Sequence, residues 1–260
     1  KPGDRVAVEP NIACGNCAAC LSNRQNFCEN WAAVGVTLPG GFAEYALAPE
    51  NAVFGIGDLP FTAGAFMEPL SCVLHGVERT PFRMGDRVLI LGAGPIGILL
   101  SKAIQIQGSC EITQLDKNSA RLELAARSGA AHTAQTLESL PKDSFDVVVD
   151  ASGATVLMEK AVDYTRKGGA ILWFGVPRQD AKLTLPAFTL FEKGLVMLTS
   201  YTSVRKSIQA VRLLRSGKID VSGLVSHELP LADFARGVQD IESGAGGVLK
   251  VMILPELCAG

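Results

Sequence analysis

The chain has 260 residues, 48% of them hydrophobic and 19% charged, with a formal net charge of −2 and no long run of one sign. Such a length and apolar content can bury a sizeable core in one large domain or two smaller ones. The near-neutral balance argues against nucleic acid or an anionic membrane as principal partner, and the longest apolar run, with its three glycines and a proline, fits strand-turn-helix better than a membrane span.

The sequence opens on Lys1-Pro2-Gly3 without an initiator Met, so further chain upstream is expected. Lys1 to Glu9 reads as a short β segment entered through a Pro-Gly turn. Cys14, Cys17 and Cys20 then recur at every third position, and Cys28 follows after seven intervening residues. Four thiolates satisfy tetrahedral Zn²⁺ and leave no position open, which is the structural kind of site. An iron–sulfur cluster is the rival ligand. In ferredoxin motifs the fourth cysteine follows more closely and precedes a proline, whereas Cys28 precedes Glu29. An odd total of seven cysteines, four of them clustered, suits metal binding in a reducing, cytoplasmic compartment better than a disulfide framework.

Gly40 to Leu47 alternates as a strand would after a Gly-Gly turn. Thr62 to Met67 starts a helix of small residues, and Pro69 interrupts or restarts it. Leu70, Val73, Leu74 and Val77 then give a helical apolar face. Glu68 stands at that boundary, with Cys72 and His75 four and seven residues on, on the same face. Two readings stay open. Glu68 is a carboxylate complementing a helix N-terminus, with Cys72 and His75 as packing residues; or it is a metal or active-site group.

The stretch Val88 to Leu100 organises the rest. Four apolar residues read as a buried strand, Gly92-Ala93-Gly94-Pro95-Ile96-Gly97 as a tight turn, and the periodic segment to about Gln107 as a helix. In such a turn Gly92 permits the reversal, Gly94 lets a pyrophosphate approach the backbone, and Gly97 lets helix pack close to strand. The helix N-terminus offers free N–H groups and the positive end of its dipole. A second strand, Glu111 to Leu115, ends on Asp116, about 20 residues past the glycines, where an acid hydrogen-bonds the adenosine ribose. An aspartate there repels a 2′-phosphate and so favours NAD over NADP. The plainer reading is a glycine turn in an ordinary α/β domain followed by a chance aspartate.

The alternation continues through a helix at Asn118 to Ser128, a strand at Phe145 to Val149, a helix at Thr155 to Thr165, a strand at Ala170 to Phe174 entered from Lys167-Gly168-Gly169, and a strand at Leu195 to Thr199. Short loops between them imply a parallel sheet with helices on both faces. Helices at Val204 to Ser216 and Ala232 to Glu242 and a last strand at Val248 to Leu254 complete the chain.

These motifs, in this order, resemble the medium-chain zinc-dependent alcohol and polyol dehydrogenases, especially the sorbitol-dehydrogenase-like branch. The resemblance rests on Pro2-Gly3-Asp4-Arg5-Val6, the four-cysteine lobe, Gly41-Phe42-Ala43-Glu44-Tyr45, Glu68-Pro69-Leu70-Ser71, Gly92 to Gly97, Asp116 with Arg121, Lys167-Gly168-Gly169 and Ser216-Gly217-Lys218. It implies a doubly wound Rossmann sheet inserted into a partial GroES-like β domain, with residues 1–78 and 201–260 as pieces of the catalytic domain and 79–200 as the NAD domain. It implies oxidation of a polyol, a secondary alcohol or a threonine-like amino alcohol, with hydride passing to NAD and a catalytic zinc acidifying the hydroxyl. It places Glu68 at that zinc, which outweighs the helix-cap reading. It puts Asp116 and Arg121 at the adenosine ribose, Pro95 and Ile96 beside the pyrophosphate, Phe174-Gly175-Val176 at the nicotinamide and Tyr201 at the substrate. A homodimer or homotetramer is implied as well. The family's other catalytic zinc ligands, a cysteine and a His-Glu pair, correspond to positions before Lys1. No His-Glu dipeptide occurs here, and the histidines are His75, His132 and His227. The expectation is an N-terminally incomplete chain that binds NAD and turns over negligibly alone; the alternative is a non-catalytic module with NAD and a structural zinc.

Overall fold

The computed structural model describes residues 1–108, 111–244 and 247–255. The chain divides into two units, one formed by Lys1–Cys72 with Thr202–Gly260 and the other by Val73–Tyr201. In the first unit, β1 (Val6–Val8) is followed by β2 (Asn11–Ile12), α1 (Ala18–Leu21), β3 (Ala32–Ala33), β4 (Val53–Gly55) and α2 (Phe61–Gly64). Strand β1 pairs antiparallel with β4, and β2 with β3. Helix α3 (Met67–Arg79) begins just after α2. Pro69 is its third residue, within the first turn, where the missing N–H has no intrahelical acceptor in any case. Pro69 therefore sits inside the restarted helix, and the break falls at Ala65 and Phe66.

Gly40 to Leu47 is not a strand; it runs as bends and coil. Alternation alone does not make a strand. The backbone also needs a ladder partner, and among the described residues no strand pairs with this segment. Tyr45 and Leu47 are 89% and 93% exposed as a result. Phe42 instead sets its ring 4.6 Å from that of Phe234.

The second unit is built on aliphatic runs buried on both faces, the pattern of a parallel sheet covered by helices. It runs β5 (Arg87–Leu91), α4 (Pro95–Gly108), β6 (Glu111–Leu115), α5 (Ser119–Arg127), β7 (His132–Ala134), β8 (Phe145–Asp150), α6 (Thr155–Tyr164), β9 (Thr165–Trp173), α7 (Ala187–Lys193) and β10 (Val196–Thr199). The sheet order is β10-β9-β8-β5-β6-β7, parallel throughout. The winding reverses between β5 and β8, and ligands of such sheets bind beyond the carboxyl ends of the strands at that reversal. Register brings the strand ends level there, with Leu91 opposite both Leu115 and Asp150, and Asp150 opposite Trp173. Leu89, Leu91, Val148 and Ile171 are fully buried in the core beneath. Lys167 to Gly169 do not turn into a strand; they lie within β9, beside a register shift between Phe145 and Val147.

The return to the first unit supplies α8 (Ser207–Arg215), β11 (His227–Pro230), α9 (Phe234–Ser243) and β12 (Val251–Leu254), with β11 parallel to β12. Helix α8 starts at Ser207 rather than Val204, because Thr202 and Arg205 hold φ of 49° and 53°, outside the helical region. The buried Glu9 carboxylate ties this return to the N-terminal part. It accepts from the hydroxyls of Ser71 at 3.3 Å, Ser203 at 3.3 Å and Ser207 at 2.8 Å, and from Asn11 Nδ2 at 2.7 Å. No helix among the described residues is long and apolar enough to cross a membrane.

In the second unit one buried cation does similar work. Lys193 Nζ donates to the carbonyls of Val162 at 2.6 Å and Thr165 at 3.0 Å, at the end of α6, and pairs with Asp143. Lys193→Met leaves two buried carbonyls without that donor and is expected to cost about 1–3 kcal/mol, read as a lower urea midpoint at unchanged slope.

Candidate functional site

The glycine turn is shaped by contacts that only glycine permits. Gly92 adopts φ of 112° and its N–H reaches the Leu115 carbonyl at 2.7 Å. A methyl group on Gly97 would overlap the Gly92 carbonyl oxygen and lie 3.0 Å from Gln114 Nε2. That amide nitrogen in turn donates to the Gly92 oxygen at 3.0 Å. Gly94 faces open space, with nothing within 4 Å of an added carbon. Pro95 occupies the first position of α4, where its fixed φ is favourable.

Asp116 closes the turn from the neighbouring strand. Its Oδ2 accepts the Ala93 N–H at 2.9 Å, its Oδ1 accepts the Asn118 N–H at 2.9 Å, and Arg121 Nη1 lies 3.9 Å away. Asn118 caps α5 by accepting the Arg121 N–H at 3.2 Å. Gly92, Gly94, Asp116 and Arg121 line a cavity of about 990 Å³, with Ala151 and Ser152 after β8. That volume, open backbone at Gly94 and a fixed carboxylate fit an extended dinucleotide.

Phe174, Gly175 and Val176 form the adjacent turn after β9. The N–H groups of Phe174 and Gly175 both donate to the Asp150 carbonyl at 2.9 Å. The Phe174 ring lies close over Gly76, where an added carbon would come 2.8 Å from Phe174 Cδ2. Val176 is 90% exposed and Tyr201, the last residue of the second unit, is half exposed. Gln114 and Asp150 are not among the sequence-predicted site residues. Gln114 gives no local signal, because β6 reads Glu-Ile-Thr-Gln-Leu and a further polar residue there does not stand out.

The cysteine lobe lies in the first unit. The Sγ atoms of Cys14, Cys17, Cys20 and Cys28 all lie within 4.8 Å of one another. The pairs Cys14–Cys20 and Cys17–Cys28 stand at 4.0 Å, and the Cys14 N–H donates to Cys28 Sγ at 3.3 Å. A tetrahedron of sulfurs about 2.3 Å from zinc has edges of about 3.8 Å, so this donor set fits the ion. Backbone N–H groups of Asn16 and Cys17 draw the Cys14 thiol down to about 6, whereas burial pushes Cys20 up to about 12.

Glu68 sits in the first turn of α3, where its Oε1 accepts from the Cys72 thiol at 3.2 Å. Burial raises its carboxyl, the Cys72 hydrogen bond opposes that, and the charge of Glu9 adds to it. Burial and the Glu68 charge push the Cys72 thiol far up. Among the described residues the four cysteines are the one cluster of three or more metal-ligating groups. His132 instead pairs with Glu111 at 3.0 Å, His227 lies 2.9 Å from Ser226 Oγ, and His75 is buried. Glu68 with Cys72 falls short of the three protein ligands that a catalytic zinc takes.

The chain matches the family model for the alcohol dehydrogenase GroES-like domain over residues 1–58 and that for zinc-binding dehydrogenases over 95–216. It is 35% identical to D-altritol 5-dehydrogenase of Agrobacterium fabrum over 239 residues, which takes in 90% of this chain and 71% of that one. It is 30% identical to D-arabinitol dehydrogenase 1 of Uromyces fabae, over 98% of this chain and 76% of the relative. A zinc-binding dehydrogenase of Sinorhizobium meliloti, solved with NADP bound, superposes with a TM-score of 0.88 at 30% identity, over 98% of this chain and 78% of the other. The chain belongs to the medium-chain zinc-dependent alcohol and polyol dehydrogenase family.

Because a methyl group at Gly97 collides with backbone rather than with a movable side chain, Gly97→Ala is expected to cost about 1–3 kcal/mol of stability. Chemical denaturation followed by tryptophan fluorescence checks it. An unchanged midpoint would mean that α4 and β5 have room to part.

Proposed function

We propose that this chain holds NAD in the cavity after β5 and β6, and that it serves the oxidation of a polyol or secondary alcohol to a ketose or ketone by hydride transfer to the nicotinamide. One observation carries the cofactor reading: Asp116, anchored to the Ala93 N–H, faces the same cavity as the open backbone at Gly94. In this reading Asp116 takes the ribose hydroxyls with Arg121 beside it. The first turn of α4, Pro95 and Ile96 included, faces the pyrophosphate, and Phe174 to Val176 face the nicotinamide. Tyr201 reaches the substrate. Residues 1–78 and 201–260 make the substrate domain and 79–200 the cofactor domain, and the protein works as a homodimer or homotetramer in the cytoplasm.

The four cysteines hold a structural zinc, which supplies a fixed cross-link rather than chemistry. Glu68 contributes one ligand to a second, catalytic zinc, a set the described residues leave incomplete. That shortfall favours one other reading, a non-catalytic module carrying NAD and the structural zinc alone. The substrates of the relatives, altritol and arabinitol, define the first panel to assay.

Elemental analysis separates the two. About one zinc per chain is expected for residues 1–260, lost in Cys28→Ser. Two in the natural full-length product support the dehydrogenase, and one in both supports the module. Residues 1–260 alone are expected to bind NADH and to oxidise altritol or arabinitol negligibly; robust zinc-dependent turnover by them would sink that expectation. For cofactor choice, Asp116→Ser is expected to weaken NAD binding by about tenfold, the loss of a charge-assisted bond, and to admit NADP more readily. An unchanged preference would remove Asp116 from the cofactor.

A further inference from the structure

Asp150, the last residue of β8, carries a carboxylate and is fully buried, while Ala151 and Ser152 just after it line the cavity. Its Oδ1 accepts the Ser152 N–H at 3.1 Å and the Ser152 hydroxyl at 2.6 Å, and its Oδ2 accepts the Gly153 N–H at 3.0 Å. Its own carbonyl takes the N–H groups of Phe174 and Gly175. One residue thus binds the turn after β8 through its side chain and the turn after β9 through its backbone.

The two turns touch at this point. A carbon added to Gly175 would lie 2.6 Å from Asp150 Oδ2 and overlap the Gly153 nitrogen. Gly153, at φ of 69°, is backed by the Val176 carbonyl just as closely. A third turn adjoins them: a carbon on Gly92 would lie 3.4 Å from the Ala151 carbonyl carbon, and the Ala151 N–H donates to Leu91 at 2.9 Å. The carboxylate lies under a junction of three backbone turns, packed so tightly that glycine is required on both sides of it.

We infer that Asp150 is a positioning residue which sets the turn Phe174 to Val176 against the turn Ala151 to Gly153 and thereby shapes the nicotinamide end of the cofactor cavity. The inference rests on the cofactor reading above. A buried carboxylate is costly unless its lone pairs are filled, and these three donors fill them from one side while Gly175 closes the other. Burial raises the Asp150 carboxyl and the Ser152 and Gly153 hydrogen bonds oppose the rise, as expected of a group enclosed by its own loop. An amide in its place keeps an acceptor for Ser152 but turns a donor toward the Gly153 N–H, so the junction must open.

The test compares NADH, which spans the whole cavity, with AMP, which needs only the adenosine end. Binding is read by energy transfer from tryptophan to NADH and by calorimetry for AMP, with apo thermal unfolding measured alongside. In Asp150→Asn the dissociation constant for NADH is expected to rise about tenfold or more while that for AMP stays within about twofold. Ser152→Ala, which removes the hydroxyl's bond to Asp150 and its acceptance of the Ala154 N–H but leaves the backbone donors to Asp150 in place, is expected to follow the same order with a smaller NADH effect; it decides the matter if the first variant does not fold. Parallel weakening of both ligands would make Asp150 merely structural, and no weakening of either would make it irrelevant; both overturn the inference. Failure of the unmodified chain to bind either ligand would instead overturn the cofactor reading on which it rests.

Discussion

The Ala93 N–H, hydrogen-bonded to Asp116 at 2.9 Å, marks the constraint on which the second unit depends. A parallel sheet satisfies its backbone along the ladder, but each strand must leave that ladder at its carboxyl end and pass into a helix. The first N–H groups of each turn still reach the last carbonyl of a neighbouring strand, as Gly92 reaches Leu115 and Ala151 reaches Leu91, but those further round the turn need other acceptors. Short acidic side chains at the strand ends supply them. Asp116 does so after β6 for the turn after β5, and Asp150 does so after β8 for its own turn. Carboxylate acceptors form bonds roughly twice as strong as neutral ones, which offsets removing the charge from water. The same groups therefore stabilise the turns and fix the edge of the cavity, so shape and stability there cannot be altered separately.

The first unit solves a different problem with the same chemistry. Its sequence comes from both ends of the chain, and its strands are short, paired two by two. Little ladder energy holds the pieces together. The Glu9 carboxylate gathers hydroxyls from Ser71, Ser203 and Ser207, which lie 62, 194 and 198 residues away in sequence. Each bond is worth about 1.5–3 kcal/mol when it serves a charged acceptor, and three from distant segments act as a cross-link. Thr202 and Arg205, held at positive φ, are consistent with this. The local backbone gives way so that Ser203 and Ser207 both reach the one carboxylate.

What was legible in the sequence was local. The glycine turn, Asp116 and the cysteine spacing each express a geometry complete within a few residues, and strands β5, β6 and β8 are long enough in apolar character to be read unaided. Strand β7 and helix α7 are too short to show a period, and β9 extends back across Lys167-Gly168-Gly169 because Thr165, on the far side of a register shift, still pairs with Phe145 of β8. Gly40 to Leu47 fails in the opposite direction, since its alternation is correct and its partner is missing among the described residues. Asp150 and Glu9 carry no motif at all. A single acid after an apolar run looks like the end of a strand, and only the fold reveals that a second turn, or three distant serines, closes on it.

The same distinction separates the two metal questions. The four cysteines occupy fifteen consecutive positions, from Cys14 to Cys28. Closing so short a loop costs little chain entropy, and a complete sulfur tetrahedron needs nothing from elsewhere, so spacing alone identifies it and the folded thiols stand within 4.8 Å of one another. A catalytic metal must keep one position open for substrate. Its ligands therefore cannot wrap the ion from one loop; they have to be held apart by separate elements of the fold. Glu68 shows that character: it is half-buried in the first turn of a long helix, with Cys72 one turn on and Lys250 and Glu9 setting the local field. A carboxylate so placed is aimed by the scaffold and not by its sequence neighbours, which is why its local context reads equally well as a helix cap.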